Sequence, residues 1–211
     1  IEKNSLWWDI VRRLKNICSV CIFPGWQAMT DIMYWMRKIQ KGETQMYIAD
    51  KYWNNYIGDT DDSLTLASYL MYKRQEKISL AEILSDLGLD KLNGNFRQND
   101  EPITVRLKDN ENNEYDVEFY YPIDIITDLA AILLECKKGG SVDVNELLGD
   151  DLKPVVISII STEKEENIIK TVLEDFYTHP LEYNLSEMCP EEDMLEMAEI
   201  CKDLAKELFE E

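Results

Sequence analysis

Cys18 and Cys21 stand three residues apart, the spacing shared by thiol redox motifs and by half of a structural zinc site. A redox pair works at a helix N-terminus, where the dipole favours thiolate. Here Leu6, Trp7, Ile10, Val11, Leu14 and Ile17 recur at helical spacing and put the pair at the end of that helix, where the dipole disfavours it. Zinc needs four ligands, and the chain has no second such pair and one histidine, His179. The pair is read as core packing. His179 follows a helix expected to end near Tyr177, and spacing names no nucleophile beside it. Asp59, Asp61 and Asp62 resemble the start of a calcium loop, but Leu64 and Leu70 stand where Gly and Glu are required. They are read as a turn and helix cap. The chain has no Walker loop, no GxGxxG and no GxSxG. No cofactor or metal is expected.

Two groups of residues remain, and both suit binding rather than catalysis. Glu199, Asp203, Glu207 and Glu211 repeat at i, i+4 along the predicted last helix, and Glu192 and Glu196 form another such pair. Like charges at this spacing cost a few tenths of a kcal/mol each, about 1 kcal/mol for the set. The row also runs into the helix C-terminus, where anions are disfavoured. A local rule broken without compensation marks a candidate site, so Glu196, Glu199, Asp203 and Glu207 are taken as partner-binding. The second group is Tyr52, Trp53 and Tyr56 in MYIADKYWNNYIG, too many large rings for one short helix to bury on one face. Tyr and Trp are favoured interface anchors.

The elements that position these groups follow from periodicity. Helices are expected over Leu6–Cys21, Met29–Lys41 (ended by Gly42), Ile48–Tyr56, a segment capped by Asp61–Ser63 and running to Arg74, and a segment opened by the capping box of Ser79 and Glu82 and closed by Gly88. After a polar connector the period changes to two. Pairing Leu107 with Tyr115 sets Val105 opposite Val117 and Ile103 opposite Phe119. On the other face Arg106 then meets Asp116 and Lys108 meets Glu114. Pro122 opens a helix apolar on most sides, which Gly139 and Gly140 stop. Val142 and Val144 suggest an edge strand. KPVVISIIS reads as a central strand covered on both faces. Thr162 and Glu165 cap the next helix, and Pro190 precedes the last. The expected fold is α+β: a helical N-terminal part, then a small mixed or antiparallel sheet (hairpin 103–121, central strand 154–161) packed with helices. The expected organisation is a helical, aromatic-rich region over 1–92 and an acidic α+β region over 93–211.

Of 211 residues, 42 are Asp or Glu and 22 Lys or Arg, a net charge of −20. That balance argues against nucleic acid and against an anionic membrane surface as partners. No apolar run is long enough to span a bilayer. Five scattered cysteines argue for a reducing compartment, and the expected location is the cytoplasm. The charge is lopsided: residues 1–90 hold 11 cations against 12 anions, and 91–211 hold 11 against 30. An acidic chain is steered toward basic partners. In overall composition the chain resembles the small acidic immunity proteins that bacteria make to neutralise toxins. That resemblance implies a non-enzymatic inhibitor that covers a basic cleft on its target. Two other classes are kept: a regulatory or assembly domain of a larger complex, and a carboxylate-based metal-dependent hydrolase. An inhibitor would bind with steep salt dependence, an assembly domain would tolerate salt, and a metal enzyme would gain stability from divalent ions.

Overall fold

The computed structural model describes residues 46–53, 56–73, 75–92, 94–98, 101–108, 113–149 and 153–210. The two helices expected before residue 42 lie outside these, with Cys18, Cys21 and four of the five tryptophans. The fold is α+β. In chain order the regular elements are α1 (Asp61–Lys73), β1 (Lys77–Ser79), α2 (Leu80–Asp86), β2 (Ile103–Lys108), β3 (Glu114–Phe119), α3 (Pro122–Gly139), β4 (Val142–Asp143), α4 (Val144–Leu147), β5 (Val156–Ile160), α5 (Glu163–Thr178) and α6 (Glu191–Phe209).

At the centre is α3. Pro122 sits in its first turn, and Gly140 closes it in the left-handed conformation that glycine adopts freely. Every side chain from Pro122 to Cys136 is buried, so its apolar surface serves several neighbours at once. One neighbour is α6, whose buried face carries Met194, Met197, Cys201, Leu204 and Leu208 as the spacing predicts. These two helices run in the same direction: Cys189, just before α6, lies beside Asp124 near the start of α3, and Lys137 near its end lies 5.7 Å from the ring of Phe209. α5 runs the other way, so that Lys137 meets Glu166 in its first turn at 2.7 Å. The Thr162–Glu165 capping box that opens α5 forms on both sides.

The strands divide between two sheets. β2 and β3 form a hairpin in the expected register, with Ile103 opposite Phe119, Val105 opposite Val117 and Leu107 opposite Tyr115. Arg106 bonds Asp116 across the other face at 2.8 Å. The second sheet has the order β1-β5-β4, with β5 central and β4 at an edge. β1 has no period of its own in three residues; it is held by parallel pairing to Ser158–Ile160. The expectation that β5 is covered on both faces is corrected. Ile157 and Ile159 are buried, whereas Val156 and Ile160 are 50% and 53% exposed. α3 covers one face of this small sheet, where the Ile159 N–H meets Cys136 Sγ at 3.4 Å.

The helix expected over Ile48–Tyr56 is corrected to a single 3-10 turn, Ile48–Asp50. The Ile48 carbonyl accepts from Lys51, Tyr52 and Trp53, which ends the turn. Tyr52 and Trp53 then bury themselves in different directions, and Tyr56 takes a positive φ of 62° that no helix contains. The cap of α1 lies one residue earlier than expected: Thr60 Oγ1 accepts the Ser63 N–H at 3.1 Å. At α2, Ser79 accepts the Glu82 N–H and Gly88 follows the last turn with a positive φ, as the sequence predicts.

Candidate functional site

The acidic row on α6 does not stay on one face. Each i, i+4 step turns about 40° around the helix axis. Glu199 and Asp203 are exposed, and Glu199 pairs with Lys202 at 3.1 Å. Two turns beyond Glu199, Glu207 has swung toward the core and is only 9% exposed. There it accepts from Tyr52 at 2.7 Å and from the Tyr47 hydroxyl, and it pairs with Lys51 and, at 3.5 Å, with Lys138. Burial alone would raise the Glu207 pKa, but the bonds from Lys51, Tyr47 and Tyr52 outweigh it and hold the carboxyl down at about 2. Lys51 also stacks over the rings of Tyr47 and Tyr52. Glu207 and Tyr52 therefore fasten the 46–53 segment to α6.

Trp53 is also turned inward. It is buried, and its indole N–H donates to the Leu147 carbonyl at 2.9 Å. Tyr56 differs from both. It is half-buried, and its hydroxyl lies 3.1 Å from Asp193 Oδ1 and 3.3 Å from Glu196 Oε2. Burial, with Asp193 and Glu196 beside it, pushes its phenol up to about 12. Of the residues singled out from sequence, Tyr56 and Glu196 meet at the start of α6, Tyr52 and Glu207 meet at its end, and Trp53 stands apart from both pairs.

Three carboxyls are buried close together: Asp62, expected only to cap a helix, and Asp124 and Asp128, which sequence reading passed over. Asp62, Asp124 and Asp128 are 3%, 3% and 1% exposed. Asp62 accepts the Tyr120 and Tyr121 N–H groups, at 2.9 and 2.7 Å, and so ties the end of the hairpin to α1. Asp128 Oδ1 accepts the Gly58 N–H at 2.9 Å. Asp128 Oδ2 and Asp124 Oδ1 have no hydrogen-bond partner. Burial pushes the Asp128 carboxyl up to about 7, against the bonds from Ser63 and Gly58. Burial, with Asp128 and Asp62 nearby, carries Asp124 well above the usual carboxylate range. The signal was present in the sequence: Asp124 and Asp128 fall at i, i+4 in a helix otherwise apolar on most sides.

The remaining chemistry-bearing residues are structural. Arg97 binds Asp175 and Glu182 and lies 3.2 Å from His179 Nδ1, fixing the connector before the hairpin to the end of α5. Arg97, with Tyr183 and His179, holds the Asp175 carboxyl down at about 2. Cys136, Cys189 and Cys201 are free thiols. Among the described residues no group of three or more His, Cys, Asp or Glu side chains is placed to hold a metal ion. No described helix is long and apolar enough to cross a membrane.

The described residues thus place exposed acids along α6, Tyr56 against Asp193 and Glu196 near its start, and buried carboxyls on α1 and α3. No curated protein and no solved structure matches the chain. Residues 47–208 match the family model described as Immunity protein 68, and the chain belongs to that family.

Proposed function

We propose that this immunity protein neutralises a toxin by docking the acidic face of α6 on a basic surface of that toxin. Family membership supplies the class of partner, a toxin protein. The basic character of the partner rests on one observation: Glu196, Glu199 and Asp203 line the exposed side of α6, and Lys202 is the sole cation on the helix with a described pairing to any of them. A solvated helix gains nothing from such a row, whereas a cationic partner turns each charge into a steering and docking contact. Glu207 and Tyr52 brace α6 from inside, and Tyr56 stands at the edge of the surface.

The test has two steps. The tagged chain is used to capture proteins from its host, washed first at low and then at high salt. The protein released by salt is then expressed in cells with and without the chain. The expected result is a basic protein that arrests growth alone and is harmless in company. A captured protein that is acidic, or whose toxicity the chain leaves unchanged, would overturn the proposal.

A further inference from the structure

Three helices begin at the same end of the molecule. Asp62 of α1 holds Tyr120 and Tyr121, which lead into α3, and Cys189, which leads into α6, lies beside Asp124 and Asp193. Burial raises the phenol of Tyr121, and Asp124, Cys189, Asp62 and Glu187 all lie close enough to add to the rise. The three segments that meet here, 56–72, 113–128 and 183–201, contain fourteen Asp and Glu and not one Lys or Arg. Helix dipoles explain acids in first turns, such as Asp61 and Glu191. They do not explain Glu187, which lies before α6, or Glu196, beyond its first turn.

Two further observations point to a ligand. The Tyr56 hydroxyl has one hydrogen and lies within bonding distance of two carboxylates, Asp193 and Glu196, so it can satisfy only one at a time. Beneath the surface, Asp124 is 3% exposed and its Oδ1 has no partner. Each leaves an oxygen short of a partner. Two exposed apolar or aromatic side chains adjoin the segments over Asp124. Met188 is 73% exposed and Tyr120 53%, each next in sequence to one of the residues over Asp124. Exposed aromatic and apolar side chains beside charged ones are favoured at protein interfaces.

We propose that this end of the molecule, built by Tyr56, Tyr120, Tyr121, Met188, Asp193 and Glu196, is the seat of an arginine side chain presented by the toxin. A guanidinium carries five donors in a planar fork, enough to serve both carboxylates that Tyr56 now shares, and its flat face packs on tyrosine. Lysine offers a point charge and no plane. The inference rests on the immunity reading for the identity of the partner. It adds a division of labour: Glu199 and Asp203 steer the encounter, and the head of α6 holds the complex.

The full chain is titrated with acetyl-Gly-Arg-Gly-amide and followed by amide NMR shifts, with the lysine and norleucine tripeptides as controls. Saturable shifts are expected in 56–62, 119–124 and 187–197. The lysine peptide should bind about threefold more weakly or worse, and the norleucine peptide should give no saturable shift. Asp193→Asn with Glu196→Gln should weaken arginine binding by about fivefold or more, and Glu163→Gln, an exposed acid on α5, should leave it unchanged. Tyr120→Ala, which alters an exposed side chain and leaves its backbone bond to Asp62 in place, should weaken it too and guards against misfolding of the double variant. Shifts centred on Glu199 and Asp203, equal binding of the norleucine peptide, or indifference to both head variants would overturn the proposal. A chain that protects cells from the toxin yet shows no arginine site overturns this inference alone. Arginine binding at the head of a chain that gives no protection overturns the immunity reading and the partner assigned here.

Discussion

A methyl group at Gly58 would lie 2.2 Å from the Trp53 ring, and the backbone there has a φ of +79° that side chains resist. Gly58→Ala is therefore expected to cost about 2–4 kcal/mol, the sum of a left-handed alanine and an overpacked ring, read as a lower urea midpoint. The same residue donates its N–H to Asp128, whose carboxyl titrates near 7 in the folded chain against about 3.9 when unfolded. Between those values the folded state keeps a proton that the unfolded state has lost. Stability therefore falls as pH rises from about 4 to about 7, and levels off above. Asp124, raised mainly by burial, pulls the same way. Asp128→Asn keeps an oxygen for Gly58 and removes the titration. It should be more stable than the parent at pH 8, by on the order of 2 kcal/mol, and lose that advantage near pH 4. Urea denaturation at pH 5 and pH 8 checks this, and a variant weaker than its parent at pH 8 would contradict it. At this scale the sequence was only half legible. Tyr56 and Glu196 could be named from it, but not their meeting. Glu207 looked like one more exposed acid because an i, i+4 row looks straight when it in fact winds around the helix, and only the position of Tyr52 and Lys51 shows where it ends.

Elements were legible where a repeated signal spanned them. The hairpin register followed from two faces that had to agree, and the start of α5 from a Thr and Glu three apart. Thr162→Ala should cost about 1 kcal/mol by removing that cap, with the loss seen as faster hydrogen exchange in the first turn of α5 before any change elsewhere. Elements were illegible where neighbours decide them. β1 has three residues and exists because β5 lies alongside. The segment 48–56 carries helical spacing, yet it closes as a single 3-10 turn, with Glu135 taking the Ile48 N–H at 2.9 Å and Leu147 taking the Trp53 indole. β5 is central as its run of branched residues suggests, but a central strand need not be covered on both sides when the sheet has only three strands.

Over the described part of the chain, the acids visible in the sequence gather on α6 and on the segments where α1, α3 and α6 begin. The acids of α6 and of the three converging segments lie on the family-matched part of the chain. The basic partner proposed above would approach such acids faster than diffusion alone would bring it. The most direct test is the rate at which the chain associates with the toxin it neutralises, measured across ionic strength for the wild type and for Glu199→Lys with Asp203→Lys. The wild-type rate should fall steeply with added salt. The double reversal should slow association by about tenfold at low salt and leave dissociation nearly unchanged. A wild-type rate indifferent to salt, matched by the reversed variant, would contradict electrostatic docking through α6.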